Sequence, residues 1–172
     1  FPGGGQTDVV ARALSRKLSD AFGQMVVVDN RPGAAGSIGV EIAVKATQVL
    51  NDGLGEFAAK RADRYLALGS VPLESGKEAA IELERIMKLG LKGVQILTNV
   101  AGKELSDPEY APFWTAAERL GALVVIHPNG FTHGERFKRF YFSNVIGNPL
   151  ETTIALHYLI FDGVLERHPK LK

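Results

Sequence analysis

Three short apolar runs, each with a polar tip and each separated from the next by a capped helical stretch, constrain this chain more than any other feature. They are LALGSVP (residues 66–72), GVQILTN (93–99) and LVVIHP (123–128). Ser75 with Glu78 has capping-box spacing ahead of a helix that ends at Gly90. Asp107 as N-cap and Pro108 as first helical residue start a second helix, which Gly121 stops. Asn148, Pro149 and Glu151 open a third through about Arg167, with Pro169 just beyond. Strands alternating with helices of this length pair in parallel, because each crossover returns the chain in the same direction. The expected fold class is therefore α/β, built of parallel βαβ units with the three runs adjacent in chain order.

A different pattern opens the chain. PGGGQTDVVARALSRKL sets a glycine loop before a helix with Thr7 as N-cap, an apolar face of Val10, Leu14 and Leu18, and a stop at Gly23. MVVVDN (residues 25–30) reads as a buried strand closed by Arg31, Pro32 and Gly33. From Ser37 to about Asp63 the composition is helical. Ile38, Ile42, Ala46, Leu50, Leu54 and Phe57 or Ala58 continue one apolar stripe, so the stretch from Ala46 to Leu54 is expected to be helix despite Gly53 and Gly55. Phe1 stands directly before the glycine loop, and a strand is expected to precede it in the gene product.

At 172 residues and 45% hydrophobic, the chain can bury one good core and a small second unit. It is too short for a complete (β/α)8 barrel, which takes about 250 residues. The formal charge of +1, with acids and bases interspersed, favours neither nucleic acid nor a membrane surface. Cysteine is absent, which excludes disulfides and thiolate metal sites. No apolar run approaches the roughly 20 residues of a membrane span. FTHGERFKRFYF (residues 131–142) interleaves bases and aromatics as single-strand binders do, but a loop covering a barrel mouth has the same composition, and no nucleic-acid partner is expected.

Two places carry chemistry. Glycines before a helix leave N–H groups free for a carboxylate or phosphate, although the same composition suits a tight connection. His127 ends the third run, where a strand tip would aim an imidazole at a metal; a hydrogen-bonded structural histidine fits that position too, because a metal needs at least three converging ligands.

The string PGGGQTDVVARALSRKLSDAFGQMVVVDNRPGAAGSIGVEIAVKA resembles the N-terminal lobe of the substrate-binding receptors of tripartite tricarboxylate transporters. The resemblance covers residues 1–47 and implies a small-carboxylate site in which Gly4, Gly5, Thr7 and Asp8 take part, with a second loop over residues 34–39. From about residue 48 to 172, the stretch with GVQILTN, LVVIHP and GNPLETT resembles the amidohydrolase superfamily, in the branch of aminocarboxymuconate-semialdehyde decarboxylase and related aromatic-acid decarboxylases. That resemblance implies a metal-dependent (β/α)8 barrel, with His127 as the mid-chain metal ligand and zinc or another divalent metal serving non-oxidative decarboxylation or hydrolysis of a small carboxylate or aromatic acid. The family's other ligands come from a His-x-His strand, a later histidine and an aspartate near the C-terminus. No His-x-His occurs here, and His133, His157 and His168 do not match those positions.

The leading expectation is thus an incomplete TIM-barrel fragment (residues 48–172) behind a receptor-like α/β segment (1–47). As such it is a partial amidohydrolase-type member, inactive as this fragment and holding no metal stably. A carboxylate-receptor module and a non-catalytic interaction domain, whose open strand edges favour self-association, are the alternatives. The larger segment implies a cytoplasmic protein; the receptor-like one implies a periplasmic protein.

Overall fold

The computed structural model describes residues 12, 13, 15, 19, 20, 23–27, 37–129, 131, 134–137 and 139–172; two compact units, Phe1–Ala43 and Val44–Lys172, make up the chain. In the first unit the described residues ahead of Gly23 are helical. Ser15 Oγ donates to the Arg12 carbonyl at 2.9 Å, and Ser19 Oγ to the Ser15 carbonyl at 2.7 Å. The strand expected over residues 25–30 does not form at Met25, Val26 and Val27. Val26 gives its N–H to Ser19 Oγ at 2.8 Å, and Met25 and Val27 are largely exposed. A β-branched run becomes a strand only where another backbone takes up its hydrogen bonds. Thr7, Val10, Leu14, Leu18 and residues 28–30 lie outside the described residues.

Helix α1 (Ser37–Ala59) continues through Gly53 and Gly55, so the stretch around residue 48 is helical, as its composition implies. Among the described side chains, its inward face keeps only Leu54 and Ala58 of the expected stripe. Leu50 and Phe57 are 52% and 55% exposed, whereas Val44, Thr47, Gln48, Leu54 and Ala58 are half-buried around a fully buried Asn51. That set recurs at three- and four-residue steps, so it is one helix face.

Helix α2 (Gly76–Lys88) begins at Ser75, whose hydroxyl accepts the Glu78 N–H at 3.3 Å, and buries Ala79, Leu83 and Ile86. Strand β1 (Gly93–Ile96) follows. The expected run 93–99 stops as a strand at Ile96, because Asn99 enters a separate hairpin, β2 (Asn99–Val100) with β3 (Lys103–Glu104). Ala101 and Gly102, both with positive φ, form its two-residue turn. Asp107 caps a 3-10 turn (Pro108–Tyr110) that leads into α3 (Ala111–Leu120), and Gly121 ends α3 in the left-handed conformation. Strand β4 (Leu123–Ile126) pairs in parallel with β1, Gly93 opposite Leu123 and Ile96 opposite Ile126.

The first run narrows to one parallel bridge, Gly69 with Val94. Three bonds support it: Lys92 N–H to the Ala67 carbonyl at 3.0 Å, Gly69 N–H to the Gly93 carbonyl at 2.9 Å, and Gln95 N–H to the Gly69 carbonyl at 2.9 Å. The three runs are therefore parallel and adjacent in chain order, as an incomplete α/β barrel requires. On the far side of β4, Val124 donates to the Lys172 carbonyl at 2.9 Å.

A π-helical turn (Ser143–Gly147) precedes α4 (Asn148–Phe161). The long helix expected through Arg167 is broken at Gly163, which takes φ 72°, and resumes as α5 (Val164–Arg167). The core of this unit joins Leu83 and Ile86 of α2, Val94 and Ile96 of β1, Phe113 and Trp114 of α3, and Ala155 and Leu159 of α4. Phe113 and Trp114 meet edge to face at 5.0 Å, and the indole N–H donates to the Leu105 carbonyl at 2.9 Å.

Candidate functional site

Parallel strands end together, so the residues just past Gly69, Ile96 and Ile126 share the edge of the sheet where α/β barrels carry their chemistry. His127 is the first residue beyond β4. Its N–H donates to the Ile96 carbonyl at 2.8 Å, extending the ladder by one step, and its side chain is exposed. Beyond β1 come Thr98, which is buried, and Asn99. Asn99 Nδ2 donates to Glu151 Oε1 at 2.9 Å and its Oδ1 accepts the Gly102 N–H at 3.0 Å. Glu151 is only 6% exposed and sits in the first turn of α4, where the helix dipole favours a negative charge.

Glu104 lies opposite Asn99 in the hairpin. Its Oε2 is buried without a hydrogen-bond partner, and burial first, then the charges of Glu151 and Asp162, hold its carboxyl above the ordinary range. Next to it, Ser106 Oγ donates to Asp162 Oδ2 at 2.6 Å. A cleft of about 700 Å³ is lined here by Glu104, Ser106, Asp107, Tyr158, Asp162 and Arg167 among others. A smaller pocket, about 290 Å³, lies at the opposite end of the sheet beside Tyr65, Leu66 and Lys92, away from the strand tips.

The tip of the first run is fixed by a polar network that the sequence reading did not single out. Asn51 Nδ2 donates to the Ser70 carbonyl at 2.9 Å and to Glu82 Oε1 at 2.7 Å, while Asn51 Oδ1 accepts the Ser70 N–H at 2.9 Å. Glu82, 1% exposed, also takes two bonds from Arg85, at 2.9 Å each, and Arg85 reaches Asp52 at 2.5 Å. Glu82 first and Asp52 second hold the Arg85 guanidinium charged beyond its ordinary range. The available signals were an asparagine inside a helical stretch and the three-residue spacing of Glu82 and Arg85.

The other histidines are apart from His127 in role. His157 is exposed on α4 and packs against Phe161 at 4.5 Å. His168 Nδ1 lies 3.1 Å from Glu118 Oε2. His133, Gly4, Gly5, Thr7 and Asp8 lie outside the described residues. Among the described residues no three His, Asp or Glu converge as a metal would need, so these residues do not by themselves supply a ligand set around His127. Nor is any helix among the described residues long and apolar enough to cross a membrane.

In the basic and aromatic segment, Phe137 contacts Phe131 edge to face and stacks on Phe142, each at 5.0 Å, and Arg139 lies over the Phe140 ring at 4.8 Å. Three of these rings thus pack on one another.

Residues 17–172 match the family described as Amidohydrolase. The 2-amino-3-carboxymuconate-6-semialdehyde decarboxylase of Dictyostelium discoideum is 38% identical over 131 residues, 76% of this chain and 36% of that protein. The 5-carboxyvanillate decarboxylase of Novosphingobium aromaticivorans, solved with manganese and 4-hydroxy-3-methoxy-5-nitrobenzoic acid, superposes with TM-score 0.73 at 25% identity over 77% of this chain and 39% of that one. A separate short match, 56% identical over 46 residues, is to Protein BugT of Bordetella pertussis, covering 27% of this chain and 14% of that protein. The chain therefore spans well under half the length of each relative named here.

Proposed function

The chain belongs to the amidohydrolase family, and from that membership we propose that residues 48–172 are the middle portion of a metal-dependent decarboxylase or hydrolase barrel, inactive as this fragment. The observation that carries the reading is the position of His127, exposed at the C-terminal end of β4 in a parallel sheet. A strand tip is where such a barrel carries its chemistry. The manganese and nitrobenzoate in the 5-carboxyvanillate decarboxylase support a divalent metal and an aromatic carboxylate as the intact site's occupants. Such a metal polarises a bound carboxylate and water when it is present. In this chain His127 would offer one imidazole, its backbone held by Ile96, and one imidazole leaves an ion mostly hydrated. The family resemblance favours a cytoplasmic location.

Calorimetry with zinc and with manganese, followed by a turnover assay on hydroxybenzoates, tests this. Weak metal binding and no carbon dioxide release are expected. Turnover by the purified chain would overturn the proposal of inactivity.

A second reading rests on the 46-residue match to Protein BugT: a small-carboxylate module using Gly4, Gly5, Thr7 and Asp8. Saturable heat on titration with citrate, lost in Asp8→Ala, would favour it. Binding of neither metal nor citrate would favour an interaction domain.

A further inference from the structure

We infer that Glu104 is a proton-taking latch on the hairpin at the strand tips: neutral, it lets β2 and β3 close onto α4, and ionised it loosens them. The hairpin has two residues in each strand, too few to hold itself together. Its tie to α4 runs through Asn99, which bonds Glu151, and Glu104 stands directly opposite Asn99. Among the described residues, the charges that act on Glu104 make its ionisation costly. Glu151 acts from the first turn of α4 and Asp162 from its C-terminal cap, both acidic. Among the described residues, the nearby cations are engaged elsewhere: Lys103 pairs with Glu109, and Arg167 donates to the Asp162 carbonyl at 2.9 Å. Glu104 Oε2 is left buried without a partner. A half-buried carboxylate with one oxygen shut away from water and unpaired, facing two acids, takes a proton more readily than a free one, and the neutral acid then carries a donor where the anion had none. The hairpin borders the cleft lined by Ser106, Tyr158 and Asp162, so loosening it widens access to that cleft.

Amide hydrogen exchange of residues 99–105 in the full chain, corrected for intrinsic rates, reads the latch. Protection in the wild type should rise by about tenfold as pH falls from neutral towards the ordinary glutamate range of about 4.3. In Glu104→Gln it should be high throughout. Protection that does not change with pH, or a Glu104→Gln chain that keeps the wild-type dependence, overturns the inference. Should that variant fail to fold, a carboxyl-carbon titration of the wild type decides. A Glu104 midpoint above the ordinary range, moved down in Glu151→Gln, supports the latch; a midpoint at or below that range overturns it.

Discussion

The side-chain amide of Asn51 pairs with both backbone groups of Ser70, donating to its carbonyl and accepting from its N–H, each at 2.9 Å. Gly69 uses its own N–H and carbonyl on β1, so the next residue turns its polar groups to the other side, where Asn51 meets them. Glu82, on the same amide, is held by Arg85. Asn51→Asp keeps the shape but replaces the donor with a charge beside a buried carboxylate. We expect a loss of about 3 kcal/mol at neutral pH by urea unfolding, partly recovered on acidification. A loss under about 0.5 kcal/mol, the size of a surface change, would mean the network contributes little.

Gly69→Ala should damage the same network from the other side. A methyl group at Gly69 would lie 2.7 Å from Asn51 Oδ1, 2.9 Å from Ile86 Cδ1 and 3.0 Å from Leu91 Cδ2. Overpacking of this kind costs about 1–3 kcal/mol. In a cycle with Asn51→Ala the two losses should fall short of additive, and full additivity would show that the methyl does not act through Asn51.

His127→Ala should leave stability within about 0.5 kcal/mol, because the side chain is exposed and its backbone bond to Ile96 survives. Metal content should not change either. Stoichiometric zinc or manganese in the purified wild type, absent from His127→Ala by elemental analysis, would reveal ligands beyond those described and a working centre.

Glu118 accepts the Lys170 N–H at 2.9 Å and lies 3.1 Å from His168 Nδ1. The Lys170 bond first, then His168, holds its carboxyl below the ordinary value. A depressed folded value gives stability that is present above the unfolded pKa and lost as pH falls through the folded one. The wild type should therefore exceed Glu118→Gln most at neutral pH, with the gap closing in acid. A gap that widens on acidification contradicts the assignment.

Caps and chain order were legible because they depend on a few neighbouring residues. Ser75, Asp107 and Gly121 each cap as their spacing implies, and the three apolar runs pair in parallel and in order. The inward face of α1 was legible only at Leu54 and Ala58, since at its centre polarity points the wrong way: the buried residue there is Asn51, justified only by Ser70 and Glu82 far along the chain. Helix composition through residue 167 likewise said nothing of the left-handed step at Gly163. At the strand tips His127 stood out as a chemical residue in a suggestive place. Asn99, Glu104 and Glu151 did not, because their significance comes from a hairpin and a helix start that are separated in sequence.

Gly93 opens β1 with its backbone against Leu123, so close that a side-chain carbon there would fall 1.9 Å from the Leu123 carbonyl oxygen. Sliding β1 along β4 by two residues would preserve which side chains face the core, but it would put Leu91 or Gln95 in place of a glycine that holds φ 155° there, a conformation that residues with a side chain rarely adopt. Hydrophobic patterning alone cannot tell those alignments apart. The unusual backbone shape of one glycine therefore favours a single alignment of the sheet among those that hydrophobic patterning treats alike.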